Sequence, residues 1–433
     1  MSSLGPTIIF DKSVLESLNV DESVWLDAFY HTIITPLFYV ETLADLNKKH
    51  PSRTSSKIVS HIANKVPEMG CSPNANHRDL SIGDLLGYKV DISRRPILVG
   101  GKTFSVNNKL GIIFDETPEA KAFRRWQKHQ FYEIEKEVAC LWRESLAKFD
   151  YDYFLDSIEE IQSSNFRKPK SIEDAFEIAT LIIKGEGHRY KTLQLLRDLL
   201  NIDDINFKKI VKAWNKQGMP PLIEFAPYSA YVLKIDIFFL LSTSSGLISK
   251  ERKSNRADMA YIYYLPFTNI FTSSDKLHRK VIHLFLDSDQ RFIFGPDLKK
   301  DLSELDKYFD ETKTPEEKEN GVFSFSWYPP DNNRFLTTRM WDDLRPHWRL
   351  NNNVKIKTEQ KQKVPDDLKK HIKKAYADIK SKSKYKPLRN IDIEDANDII
   401  IKRSVRARKG KWKLLSDEVI NSNERLSEDD VDQ

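Results

Sequence analysis

The sequence predicts an α/β fold built on a parallel sheet, and three observations predict it. Thr7-Ile8-Ile9-Phe10 is a short apolar, β-prone run that ends in Asp11, and Val14, Leu15 and Leu18 follow at helical spacing. Asn269-Ile270-Phe271-Thr272 is a second such run late in the chain, followed by the polar turn Ser273-Ser274-Asp275-Lys276. Between helical stretches, His31-Thr32-Ile33-Ile34 makes a third. Strand, acid, helix is the local grammar of parallel α/β units, and residues just beyond the carboxyl ends of such strands line the crevice where ligands bind.

In order, the chain reads as follows. The helix over Asp21 to Phe29 takes Asp21 as its N-cap and Glu22 in its first turn, where both complement the amide dipoles. After the strand at His31, Pro36 opens a helix whose apolar residues Leu37, Tyr39, Val40, Leu43, Ala44 and Leu46 recur at helical spacing. Glu41 and Asp45 share a face of it, a like-charge pair that a purely structural helix gains nothing from. From Pro51 the character changes to a polar linker and a hairpin over Pro96 to Asn108 around Gly100-Gly101. A long charged helix follows over Glu119 to Phe149, with an apolar stripe of Trp126, Phe131, Ile134, Val138, Leu141 and Trp142.

Further helices are expected over Ile172 to Lys184, His188 to Leu200 and Phe207 to Lys216, ending at Gly218-Met219-Pro220-Pro221. Ser229 to Ser244 is apolar throughout, so periodicity leaves it open between helix and strand. Arg256 to Phe267 reads as a helix with Asp258 near its start.

Composition narrows the class. With 24 Phe, 16 Tyr and 8 Trp the chain has the aromatics a folded core needs. Its longest apolar run, Tyr231 to Leu241, carries Lys234 and Asp236 and is too short to span a bilayer, so no membrane partner is expected. Cys71 and Cys140 form no CxxC pair, which suits a reducing, cytoplasmic compartment. Positive charge is concentrated late: residues 354–415 hold 20 Lys and Arg against 8 Asp and Glu, and residues 416–433 hold one Arg against seven acids. Such a basic block is either a handle for a polyanion or a solvated helix face. No Gly-rich phosphate loop, HExxH or CxxC site occurs, and His278 and His283 read as surface or core residues.

Two acids each close a β-run and open a helix, Asp11 in Ile-Ile-Phe-Asp-Lys-Ser and Asp275 in Phe-Thr-Ser-Ser-Asp, and two more lie in flanking helices, Glu41 in Pro-Leu-Phe-Tyr-Val-Glu-Thr-Leu and Asp258 in Asp-Met-Ala-Tyr-Ile. In these segments, residues 7–49 and 231–286, the chain resembles the PIN-domain nucleases. That family has an acid ending the first strand, one in the helix after the second, one opening a late helix, and one in a following turn. The resemblance implies a three-layer α/β/α core that cuts RNA, less often DNA, with magnesium or manganese.

It also implies a discontinuous core. Glu41 and Asp258 are separated by 216 residues, so residues 1–50 and 225–300 form the PIN-like core and 51–224 a mainly helical insertion that returns the chain to the same sheet. Residues 301–353 make an aromatic and Arg-rich accessory region, 354–415 a basic segment and 416–433 an acidic disordered tail.

The chemistry suits those residue types. Hard divalent cations take oxygen ligands and are held by one or two carboxylates plus substrate phosphate. Packed carboxylates repel and partly protonate without a cation. On this reading Asp11 and Asp275 are direct ligands, Asp258 a direct or water-mediated one, and Glu41 a ligand or water-orienting base, with Asp45 in reserve. Asp11 and Asp275 also suit plain helix-capping or turn roles.

Lys12 and Lys276, beside proposed ligands, either contact the scissile phosphate or are ordinary surface lysines. Trp327, Arg334, Arg339, Arg345 and Arg349, with Phe325, Tyr328, Trp341 and Trp348, suit single-stranded nucleic acid by stacking and phosphate contact, and equally suit a small aromatic core with a basic rim. The expected activity is a metal-dependent endoribonuclease. The competing expectation is a non-catalytic nucleic-acid- or protein-binding chain on the same scaffold, its acids dispersed or individually paired with Lys or Arg.

Overall fold

The computed structural model describes residues 5–48, 53–106, 109–162, 167–185, 187–352 and 398–420. Its core is an α/β assembly around a five-stranded, wholly parallel sheet. The chain begins with β1 (Thr7–Phe10), α1 (Lys12–Ser17), α2 (Val20–Phe29), β2 (His31–Ile34), α3 (Pro36–Ala44) and α4 (Ser55–Ala63). It continues through β3 (Cys71–Pro73), α5 (His77–Leu85), the hairpin β4 (Lys102–Val106) and β5 (Lys109–Phe114), α6 (Pro118–Gln127) and α7 (Glu133–Ala147). Six further helices follow: α8 (Tyr151–Gln162), α9 (Ile172–Ile183), α10 (Arg189–Leu199), α11 (Asp204–Lys216), α12 (Leu222–Phe225) and α13 (Pro227–Ser244).

The late part comprises α14 (Asn255–Ala260), a 3₁₀ stretch over Tyr261–Phe267, β6 (Ile270–Ser273), α15 (Lys276–Val281), β7 (Arg291–Phe294) and α16 (Gly295–Thr312). It ends with α17 (Pro315–Glu319), α18 (Val322–Phe325), α19 (Leu336–Leu344), α20 (Trp348–Asn352), β8 (Asp398–Ile401), β9 (Arg408–Lys409) and β10 (Trp412–Lys413).

The sheet order is β3-β2-β1-β6-β7. All four residues of β1 and of β6 are buried, as expected of central strands in a parallel sheet. From β1 the chain moves to β2 and β3 on one side, while β6 and β7 lie on the other, so the order reverses between β1 and β6. Ile8, Ile9 and Phe10 pair with Ile270, Phe271 and Thr272. In such sheets the crevice at the reversal is where ligands bind. Helices α1, α2 and α16 pack together, and Trp25 of α2 stacks on Phe309 of α16 with ring centroids 4.4 Å apart. Helix α13 packs on α5, α8 and α9.

Several expectations change. The sheet draws β3 from inside the stretch read as inserted, so the interruption runs from β3 to β6. Asp27 fixes that strand's approach, its carboxylate accepting from the backbone N–H groups of Glu68, Met69 and Gly70. The capping residue of α2 is Asn19, because its side chain and that of Glu22 bond each other's backbone reciprocally at 2.7 Å; Asp21 is already inside the helix. Residues 301–312 belong to α16 and therefore to the core. Ser229 to Ser244 is helical, and its uniform apolarity reflects burial on nearly all sides. Arg256 to Phe267 gives way from α-helix to 3₁₀ at Tyr261, with Pro266 at its end.

The long helix over 119–149 is two helices, broken where His129 takes φ +57°. The break rotates α7, so Ile134 and Leu141 are exposed at 59% and 63% while Trp126 is buried. The hairpin strands start at Lys102, beyond Gly100-Gly101; a side chain on Gly101 would strike Ile112 and Phe114. Among the described residues no helix is long and apolar enough to cross a membrane.

Candidate functional site

Asp11 caps α1 directly beyond β1, accepting from Val14 N at 3.1 Å and Ser13 Oγ at 2.6 Å. Asp275 caps α15 beyond β6, accepting from Leu277 N at 2.6 Å. Their strands are neighbours, joined here by Asp11 N donating to Thr272 O at 3.2 Å. Capping and site roles therefore coincide, since the turn that caps each helix is the turn at the sheet's carboxyl edge. Glu41 projects from α3 and Asp258 from α14; Glu41 accepts from the buried Tyr261 hydroxyl at 2.6 Å.

One hydrogen-bond chain runs through the site. His278, fully buried on α15, points Nε2 at the Asp258 carbonyl oxygen, 2.6 Å away, and Nδ1 at Ser273 Oγ, 2.7 Å away. A carbonyl only accepts, so Nε2 carries a proton. Ser273 Oγ donates to Asp11 Oδ2, which is also 3.4 Å from His278 Nδ1. Burial works against charge on both, but their mutual bond and attraction win: His278 is held above its ordinary value and Asp11 below its own, with Ser13 and Ser273 assisting.

The other acids are less comfortable. Burial pushes the Asp258 carboxyl up to about 7, the charges of Asp275 and Glu41 add to this, and His278 and Arg252 only partly offset it. Its Oδ2 is buried without a hydrogen-bond partner. Burial likewise raises Glu41, against Lys12 and Tyr261 and with the help of Asp11 and Asp45. The four acids are thus linked in series, Asp275 to Asp258, Asp258 to Glu41 and Glu41 to Asp11. Among the described residues, however, no three His, Cys, Asp or Glu side chains stand close enough to hold a metal ion. Cations lie between them instead: Arg252 Nη2 is 2.7 Å from Asp275 Oδ2 and 3.5 Å from Asp258 Oδ2, and Lys12 Nζ is 3.6 Å from Glu41 Oε1.

No protein-family model matches the chain, and neither does any curated protein or solved structure. The functional reading therefore rests on this geometry. The donor set is all carboxylate oxygen, the donor type that hard divalent cations take, but among the described residues it is not gathered closely enough to hold one. Its present spacing is that of acids held apart by basic side chains.

The remaining candidates divide. Lys12 is a buried counter-ion, 2.9 Å from Asp45 and held also by Glu16, so it is not free to meet a phosphate. Asp45, held in reserve on the sequence, serves that lysine and Arg143 of α7 and is 1% exposed. Lys276 is exposed beside Asp275. In the accessory region Trp341 is core, its indole N–H donating to Phe29 O, and Tyr328 stacks on Trp348.

Arg349 is consumed by Asp342 and Asp331, and Arg339 by the carbonyls of Asn333 and Arg334. Arg334 lies over the Phe335 ring. Trp327 and Arg345 project into solvent. The aromatic core with a basic rim is what the structure builds there.

Of the basic segment, residues 355–389 lie outside the described residues, as does the acidic stretch 424–432. In the described part, Lys409 is buried against the Lys65 and Val66 carbonyls, Arg406 pairs with Glu68 and Lys413 with Glu319. These residues fasten the chain's end to the core rather than offer a free polyanion surface. His278 reads from the sequence as a surface or core residue and is core, with a hydrogen-bonding part in the site that its sequence setting does not disclose, and Ser273, Tyr261 and Arg252 carry no role in that reading. The one sequence signal for the first was its place three residues after Asp275, in the first turn of the helix that acid caps.

Proposed function

We propose that this chain is a PIN-like, metal-dependent nuclease that hydrolyses phosphodiester bonds, with RNA as its favoured substrate and magnesium or manganese as its cation. The observation that carries the reading is the meeting of Asp11 and Asp275 at the reversal point of a parallel sheet, with Glu41 and Asp258 electrostatically coupled to them. A divalent ion bound there would lower the pKa of an attacking water and neutralise charge on the phosphate.

The chain's own residues divide the remaining work. Asp11 and Asp275 would hold the ion, and Asp258 would join them through its unpartnered oxygen. Glu41, raised by burial and bonded by the Tyr261 hydroxyl, would accept a proton from water. His278 fixes the direction of Asp11 through Ser273 and supplies positive charge behind it. Exposed Lys276 remains a candidate for phosphate contact. The aromatic and arginine residues of the accessory region enter this reading only through Trp327 and Arg345.

The test is cleavage of single-stranded RNA and DNA by the purified chain with manganese, magnesium or chelator. The reading expects metal-dependent cleavage that falls at least about 100-fold in Asp11→Asn and in Asp275→Asn, the scale of losing a transition-state charge stabiliser. Absence of cleavage with either metal, or cleavage indifferent to both substitutions, would overturn it. A second reading, a non-catalytic nucleic-acid- or protein-binding chain on this scaffold, is favoured by one observation. Arg252 and Lys12 pair with the acids as they would in a site built to stay closed. That reading expects no cleavage and no manganese binding.

A further inference from the structure

The amino-terminal edge of the sheet, opposite the edge that carries Asp11 and Asp275, gathers three arginines around one histidine. His31 opens β2; it is 7% exposed, and its Nδ1 is buried without a hydrogen-bond partner. Arg95 arrives from the loop before the hairpin: the Arg94 carbonyl accepts from Thr7 Oγ1 at 3.3 Å, and Thr7 is the β1 partner of His31. Arg345 arrives from the end of α19. Its N–H donates to Trp341 O at 2.8 Å, and the Trp341 indole donates to Phe29 O, just before β2, also at 2.8 Å. Arg403 arrives from the segment after β8, its guanidinium donating to Met69 O, and the next carbonyl, that of Gly70, accepts from Thr32 N at 2.6 Å.

Three separate parts of the chain thus set positive charge against one strand end, and no carboxylate answers it. Among the described residues Arg95, Arg345 and Arg403 have no ion pair. Asp27, whose field reaches His31, is spent on the backbone N–H groups of Glu68, Met69 and Gly70. The arginines act on one another and on the ring. Arg345 is held below its ordinary value, by burial first and then by Arg95. His31 is pushed down to about 4, by burial first and then by Arg403 and Arg345. Like charges gathered without a counter-ion repel, and an anion between them removes that cost. An imidazole kept neutral still has one N–H to give, and a buried nitrogen without a partner is what a bound group satisfies.

We propose that this edge is a binding site for a compact oligophosphate, a di- or triphosphate group, with Arg95, Arg345 and Arg403 as its charged ligands and His31 as a neutral hydrogen-bonding group beneath them. Each guanidinium presents a planar fork of N–H donors that matches two phosphate oxygens. Three such charges are met by the clustered charge of a di- or triphosphate, whereas a backbone phosphodiester brings one. The site lies at the other end of four-residue strands from the acids, about 13 Å away at roughly 3.3 Å per residue. It assigns Arg345 to a ligand apart from the substrate of the acids.

Calorimetric titration of the full chain with sodium tripolyphosphate, in chelator and at fixed ionic strength, tests this independently of any divalent cation. Arg95 and Arg345 are both exposed, so their substitution spares the core. The expected result is saturable binding of one tripolyphosphate per chain, weakened about tenfold in Arg95→Gln and in Arg345→Gln, as loss of a charge-assisted contact requires. Lys276→Gln, on the acid edge, should bind as wild type does. Adenosine triphosphate should displace tripolyphosphate, and a single-stranded RNA with a 5′-hydroxyl, at matched phosphate concentration, should not. Tighter binding of the nucleotide than of tripolyphosphate assigns the phosphates to a nucleotide, and equal binding assigns them to free polyphosphate. Absence of saturable binding, affinity unchanged in both arginine variants, or displacement by the 5′-hydroxyl RNA overturns the proposal. Each of those results leaves the cleavage test of the acids untouched.

Discussion

Asp258 is where the electrostatics of the site are most exposed to measurement. Its carboxyl is pushed up to about 7 by burial and by neighbouring acids, so the fold favours the protonated form. Its contribution to stability is complete below the unfolded value near 3.9 and is lost as pH rises through about 7. Asp258→Asn cannot ionise. Without metal, the variant should be more stable than wild type at about pH 8, by at most about 4 kcal/mol, with the difference gone by about pH 4. Thermal melts in chelator across that range check it, and a gap independent of pH would show that Asp258 is not strained by ionisation.

In the pair of His278 and Asp11, the histidine follows the same direction as Asp258 and the aspartate the opposite one. Stability from Asp11 is lost as pH falls through its lowered folded value, and that from His278 as pH rises through its raised one. Removing the ring in His278→Ala would leave Asp11 buried without its cation. A loss of about 3 kcal/mol or more is expected in denaturant unfolding.

Among single residues, legibility followed locality. Asp11 and Asp275 could be read because the strand that places each lies immediately before it. Glu41 could be read because Pro36 fixes where its helix starts. The role of His278 depends on Asp11 at the far end of the chain, which no local pattern records. Arg252 likewise acts through an acid after β6.

The elements show why some boundaries moved. A three-residue strand ending in Pro73, which has no N–H to give the ladder, carries too little apolar pattern to be seen, and β3 is placed by tertiary bonds instead. Asp27 supplies those bonds from α2. Asp27→Ala would orphan three backbone N–H groups beside β3 and is expected to cost about 2 to 4 kcal/mol, read as a lower urea midpoint with little change in slope. Unchanged midpoint would mean that the strand is held by its neighbours alone. The stripe expected along α7 failed for a related reason: a break of a few residues after Gln127 turns the following helix, and Arg143 rather than Leu141 faces the end of α3, donating to the Ala44 carbonyl at 2.8 Å.

At the scale of the whole molecule, the central strands of the sheet, β1 and β6, come from distant parts of the sequence, and their register holds Asp11 beside Ser273. The parallel α/β class was legible because β1, β2 and β6 each announce themselves by a short apolar run. The spacing of the acids announced a long interruption, but not that β3 inside it joins the sheet, and the helices filling it were seen only one by one. If the four acids share one cation, binding should stabilise the folded chain as a whole. Saturating manganese, at about 100 times its dissociation constant, is expected to add about 2.7 kcal/mol. The corresponding rise in melting temperature should be absent in Asp11→Asn and Asp275→Asn.

The most direct test is the anomalous scattering of a crystal grown with manganese. A peak between Asp11 and Asp275, within coordination distance of both and with Asp258 or Glu41 contributing directly or through water, is the expected result. A peak elsewhere, or none while Arg252 still bridges Asp258 and Asp275, would contradict the claim that these acids form a cation site.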